Sequence, residues 1–199
     1  MTPKDQYHHG DLRTALLDAA EAALNAEPER EPSVRSLAAA IGVSATAPQA
    51  HFKTKSDLIE ALATRGFDKL GKAAKAASED PENPRAMLEA MAEAYLRFGM
   101  DNPGLFKAMF TNGVSLDNNP TLFTASRESY ALIQGAIGQV FPGISTKERN
   151  RRALTAWSVI HGLTALTIDG RIQDDIIDDR SPGALAKIAA ALVMGTSAD

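Results

Sequence analysis

Apolar residues recur at i, i+3, i+4 and i+7 along nearly all of this 199-residue chain, and no run alternates as a half-buried strand requires. Such stripes are buried by packing helix on helix. Alanine supplies 35 residues and strengthens the bias, because it loses least entropy in a helix. The expected fold is all-α, with about nine helices. A first, from Asp11, lines up Leu12, Ala15, Leu16, Ala19, Ala20 and Ala23, and ends in Glu27-Pro28-Glu29-Arg30-Glu31-Pro32. Ser33 caps a second, which buries Val34, Leu37, Ala38 and Ile41 and stops at Gly42. Ser44 caps a short third across Ala45 to His51, with Pro48 near the end of its first turn. A fourth starts at about Ser56, carries Leu58, Ile59, Leu62, Phe67 and Leu70, and breaks in the linker from Ser78 to Pro84. Five more are predicted over 85–100, 104–110, 120–140, 146–168 and 182–194, with Pro or Gly at nearly every junction.

Composition narrows the function. A hydrophobic content of 44% is ample for a core, and no stretch approaches 18 apolar residues, so no membrane helix is expected. The opening Met1-Thr2-Pro3-Lys4-Asp5-Gln6 lacks the apolar run of a secretory signal. With no cysteine, there is no disulfide, thiolate nucleophile or cysteine-ligated metal. A cytoplasmic protein without cofactor or metal is the expectation. The motifs G-x-S-x-G and H-E-x-x-H and the nucleotide-binding glycine loops are absent, so no enzyme is assembled. The net charge of −4 leans away from nucleic acid, but its distribution does not. Residues 33–78 hold 7 basic and 3 acidic groups, while both flanks are acidic. Lys69, Lys72 and Lys75 lie several turns along the fourth helix and read as solvated.

The basic segment begins with the design of a helix-turn-helix. Two short helices crossing closely need a small residue at the contact, here Ala38, and Gly42 can take the positive φ of a tight reversal. Ser33-Val34-Arg35-Ser36-Leu37-Ala38, Gly42-Val43-Ser44, and His51-Phe52-Lys53-Thr54-Lys55-Ser56-Asp57-Leu58 together resemble the DNA-binding signature of TetR-type transcriptional regulators. Tyr7-His8-His9-Gly10-Asp11-Leu12-Arg13 resembles the opening of one subset of that family. Trp157, His161 and Gly162 resemble the Trp-x-x-x-His-Gly signature of the same subset's effector domain.

That resemblance implies a homodimeric repressor. It would bind a pseudo-palindromic double-stranded operator and be released by a small, hydrophobic effector. Residues 1–55 would form the helix-turn-helix domain, with an arm over 1–10, and 56–199 the ligand-binding and dimerisation domain. Arg35 would contact a base or phosphate. Ser44, Ala45, Thr46 and Ala47 would open the recognition helix, their small side chains suiting thymine methyls. Gln49 would reach a phosphate or an adenine edge, and His51, Thr54 and Lys55 would grip phosphates near the start of the fourth helix. Two positions depart from the family pattern: Gln49 stands where Tyr is usual, and Ala50 where Arg or Lys is common. The effector pocket would draw on Met91, Tyr95, Phe98, Phe106, Met109, Phe110, Tyr130, Trp157 and His161. The dimer face would include Leu154, Leu185, Ile188, Ala189 and Leu192.

Plainer readings stand beside these. The aromatic and Met residues serve equally as core packing, and His161 as a core histidine bonded to a neighbouring group. His8 and His9 form either an arm reaching DNA or a solvated tail; as neighbours they do not converge on a metal. Asp174, Asp175, Asp178 and Asp179 lack the order of a calcium loop and read as solvated. Lys147, Arg149, Arg151 and Arg152 read as the wet face of their helix. The rival function is a helical small-molecule-binding or interaction protein that has lost DNA reading. A dimer that holds a ligand yet ignores DNA would select it.

Overall fold

The computed structural model describes residues 9–28, 30, 32–79, 83–110, 114–173 and 175–195. Eight α-helices and one 3-10 turn account for the regular structure, and no strand occurs among the described residues. In order they are α1 (His9–Ala26), α2 (Val34–Ala40), the 3-10 turn Ala47–Ala50, α3 (Lys55–Ala77), α4 (Pro84–Asp101), α5 (Pro103–Phe110), α6 (Pro120–Val140), α7 (Thr146–Ile168) and α8 (Pro182–Met194). The helices expected after the linker lie within a residue or so of their predicted bounds, because Pro84, Pro103, Pro120 and Pro182 each open one. No helix among the described residues is long and apolar enough to cross a membrane.

The chain divides into two compact units. One comprises residues up to Gly66 together with Pro103–Leu122; the other comprises Phe67–Asn102 and the residues from Phe123 on. α3 runs unbroken from Lys55 to Ala77, and α5 packs against α1 in the first unit.

In the first unit, α1 buries Leu12, Leu16, Leu17, Ala20 and Leu24, α2 adds Leu37 and Ala38, and α3 adds Leu58 and Leu62. The packing of α5 on α1 is close enough to fix a residue identity. A Cβ placed on Gly104 would lie 2.1 Å from the Leu24 carbonyl oxygen, so only glycine fits there. Asn25 Oδ1 accepts the Leu105 N–H beside it at 3.4 Å, satisfying a donor that the start of α5 leaves open.

In the second unit, α4 packs against α7 and α8. Met87, Leu88, Met91, Ile137, Ala153, Ala156, Ala190 and Val193 form the core there, with alanines allowing close helix approach. Ser145 caps α7 through the Glu148 N–H and Ser181 caps α8 through the Ala184 N–H.

Candidate functional site

Within the helix-turn-helix segment, the start of α2, the reversal after it and the start of α3 are each closed by capping bonds. Ser33 accepts the Ser36 N–H at 3.0 Å, and Ser36 Oγ accepts the Ser33 N–H at 3.2 Å, a reciprocal cap that starts α2. At the other end the Val43 N–H reaches the Ala38 carbonyl and the Gly42 N–H the Ala39 carbonyl, with Gly42 at φ +74°. This Schellman closure needs a left-handed residue at that position, the conformation glycine adopts without strain.

The short third helix is corrected. An α-helix over Ala45 to His51 would need an N–H at Pro48 to reach the Ser44 carbonyl. Proline has none, and the Ala47 N–H takes that carbonyl at 3.1 Å instead. The Gln49 N–H then reaches the Thr46 carbonyl, so the tighter i→i+3 pattern sets in and only a 3-10 turn over Ala47–Ala50 forms. Thr46 precedes it without a side-chain cap, and Ser44 caps nothing; its hydroxyl lies 3.3 Å from that of Thr46. Pro48 is buried, whereas Ser44, Ala45, Thr46, Gln49 and Ala50 are exposed and Ala47 is half-buried. Arg35 is exposed on α2.

Beyond the turn, Phe52 is buried with the Arg13 guanidinium 5.4 Å from its ring centroid. Thr54 caps α3: its Oγ1 accepts the Asp57 N–H at 3.1 Å, and Asp57 Oδ2 accepts the N–H groups of Lys53 and Thr54 at 2.9 and 3.0 Å. Thr54, through its side chain and then its backbone, holds the Asp57 carboxyl below its ordinary 3.8. Thr54 and Lys55 are exposed at this helix start, where unsatisfied N–H groups favour an anion. His51 is half-buried, and its Nε2 is buried without a hydrogen-bond partner.

The expected pocket residues fall in both compact units. Phe106, Met109 and Phe110 belong to the first: the Phe106 and Phe110 rings lie 5.2 Å apart, and Met109 fills the space over Gly66. Met91, Tyr95, Phe98, Tyr130, Trp157 and His161 belong to the second. There Met91, Tyr95 and Phe98 on α4 are buried, and Tyr130 lies edge-on to Trp157 with ring centroids 5.8 Å apart. Tyr95 is the hub. Its hydroxyl accepts the Trp157 Nε1–H at 3.3 Å and lies 3.0 Å from His161 Nδ1.

A phenol has one hydrogen, so accepting from Trp157 and donating to His161 satisfies all three groups when the imidazole is neutral with its proton on Nε2. Burial pushes the Tyr95 hydroxyl well above its ordinary 10, against the Trp157 bond, and pushes His161 below its ordinary 6.5. Both groups are therefore held neutral. Burial likewise raises Tyr130, countered by Arg127. The sequence flagged Trp157 and His161 by their spacing and drew Tyr95 into the same pocket set, but nothing local shows that Tyr95, 62 and 66 residues away, bonds to both.

Other expectations divide. Leu154 and Leu192 are 53% and 62% exposed on α7 and α8, whereas Leu185 and Ala189 belong to the protomer's own core and Ile188 is half-buried. The basic run on α7 is not simply a wet face. Arg152 lies 4.2 Å over the Phe141 ring and donates to Glu148, and Arg149 Nε is buried against Gly138. Lys147 and Arg151 are exposed. Asp175, Asp178 and Asp179 are exposed, and Asp179 accepts the Ser181 N–H. Asp174 and residues 1–8 of the arm expected over 1–10, His8 among them, lie outside the described residues.

A capped helix-turn-helix at one end of an all-helical chain, followed by a helical bundle, defines the TetR-like fold. Residues 88–191 match the family described as Tetracyclin repressor-like, C-terminal domain, and the chain belongs to that family. A protein with unknown function from Rhodococcus sp. RHA1 has the same fold: 29% identity, TM-score 0.79, covering 96% of this chain and 98% of that one. The TetR family transcriptional regulator PfmR from Thermus thermophilus superposes with TM-score 0.68 at 18% identity, over 91% of this chain and 97% of its own. The nucleoid occlusion factor SlmA of Idiomarina loihiensis is 25% identical over 160 residues, 80% of this chain and 81% of that relative.

Proposed function

We propose that this chain is a DNA-binding transcriptional repressor that acts as a homodimer and responds to a small apolar ligand. One observation carries the reading. The Gly42 closure leaves Ser44, Ala45, Thr46, Gln49 and Ala50 exposed directly ahead of a capped helix start at Thr54 and Lys55. Base edges would meet Thr46 and Gln49, and phosphates Arg35, Thr54, Lys55 and His51. A 3-10 turn in place of a full helix offers few side chains to the groove, so readout leans on Thr46 and Gln49 with methyl contacts from Ala45, Ala47 and Ala50.

Two copies related by a two-fold axis would place these segments in successive major grooves about 34–36 Å apart. The exposed Leu154 and Leu192 supply the apolar contact between copies. The Tyr95–Trp157–His161 cluster, neutral and largely dry, suits an uncharged or weakly polar ligand in the second unit. The N-terminal and Trp-x-x-x-His-Gly signatures support placement in the corresponding subset of the family.

The test is a mobility-shift titration of full-length protein against duplexes selected from a random pool, repeated across a salt series. Retardation whose affinity falls linearly on a log–log salt plot is the expected result. A dimer that binds hydrophobic ligands but retards no duplex at low salt would favour the rival small-molecule-binding reading, for which Gln49 and Ala50 speak.

A further inference from the structure

One side chain in the first unit serves two elements at once, and neither the family signature nor the proposed interface assigns it. Asn119 stands immediately before α6. Its Oδ1 accepts the Leu122 N–H at 3.0 Å, capping α6, while its Nδ2 donates to Glu60 Oε2 on α3 at 2.8 Å. The second Glu60 oxygen lies 3.4 Å from the Ser56 hydroxyl, one residue into α3 from Lys55. Both Asn119 and Glu60 are half-buried, which makes the charge-assisted bond between them stronger than a surface one.

We propose that Asn119 and Glu60 form a latch through which the start of α6 sets the order and charge of the first turn of α3. An amide presents its oxygen along one edge and its NH₂ along the other, so both bonds close at a single placement of α6's first turn. A shift or rotation of α6 must break one of them. Release then has two consequences at α3. A Glu60 side chain no longer fixed by Asn119 holds Ser56 less firmly, so the turn bearing Thr54 and Lys55 loosens. Its carboxylate also swings free one turn and a half from an anion-favouring helix start, where it repels phosphate. Asp57's charge is present whether or not the latch is closed, held by two backbone N–H groups and Thr54, so it does not change on release. The regulatory consequence rests on the DNA-binding reading; the latch itself does not.

Asn119→Asp separates the two duties. Aspartate caps a helix as well as asparagine but cannot donate, and it places a like charge against Glu60. Adding Glu60→Gln restores a bond of reversed polarity, with the introduced amide on α3 donating to the introduced carboxylate before α6. Amide hydrogen exchange on the full-length protein reads the latch, and binding of a duplex selected from a random pool reads its consequence. In N119D, exchange over residues 55–60 is expected to quicken and duplex affinity to fall about tenfold. In E60Q/N119D both are expected to return to within about threefold of the parent. Should N119D not fold, Asn119→Ser keeps the cap, adds no charge and carries a hydroxyl one bond shorter than the amide that reaches Glu60, and its exchange over 55–60 is expected to move the same way. Unchanged exchange in N119D or N119S, or a defect that E60Q fails to reverse, overturns the latch. If the parent protein retards no duplex, the DNA-binding reading falls, while the exchange cycle still decides the latch.

Discussion

Gly104 and Gly42 are both indispensable glycines, for opposite reasons. At Gly104 the obstacle is another backbone: a methyl there meets the Leu24 carbonyl, which cannot rotate away as a side chain would. Gly104→Ala is therefore expected to destabilise the protein by about 3 kcal/mol, measured by urea unfolding, with α1 and α5 forced apart. At Gly42 nothing lies within 4 Å, and the cost is conformational alone. Gly42→Ala is expected to lose about 1–2 kcal/mol while leaving the second unit intact. Tyr95→Phe removes the shared bond to Trp157 and His161, and an expected loss of about 1–2 kcal/mol should appear in thermal unfolding. A variant as stable as the parent would show that the hydroxyl does not organise that cluster. His161 adds a pH dependence. Its folded value lies below 6.5, so the unfolded chain takes up a proton first as pH falls. Stability is full above about pH 6.5 and declines as pH drops through the folded value, and His161→Gln is expected to flatten that decline.

At the scale of elements, capping accounts for most helix boundaries that the sequence allowed to be drawn. Ser33, Ser145 and Ser181 each accept an N–H from the first turn they precede, and prolines open four of the helices. Ser145→Ala is expected to cost about 1 kcal/mol, with faster amide exchange confined to the start of α7. The same local reasoning failed at Ser44, a correct capping residue in a wrong place. Its carbonyl is claimed by a tighter bond from Ala47, because Pro48 cannot supply the helical one. Asn119 failed the other way. It sits one residue before Pro120, in an obvious cap position, yet its tie to Glu60 spans 59 residues and has no local signature.

For the whole molecule, the basic stretch 33–78 contains both the exposed turn and the Thr54–Lys55 helix start. α5 returns to α1 within the first compact unit, and α3 passes from one unit into the other. Of the residues expected at a dimer face, Leu154 and Leu192 are exposed, Ile188 is half-buried, and Leu185 and Ala189 are buried in the chain's own core. Leu154→Glu combined with Leu192→Glu is expected to shift sedimentation from dimer to monomer without lowering helical content, whereas Leu185→Glu should unfold the second unit instead.

Sequence alone determined the all-helical class, the order and approximate limits of the helices after the linker, and the helix-turn-helix with its glycine. Each of these is a local matter of periodicity, caps and backbone freedom, legible within about ten residues. Tertiary structure alone decided that Leu185 and Ala189 face inward, that Gly104 meets a carbonyl, that Tyr95 joins Trp157 to His161, and that Asn119 reaches Glu60. Those facts depend on which helix faces which. An apolar stripe says that a face is buried, but every apolar neighbour would satisfy it equally, so the partner is fixed only when all the helices are packed at once.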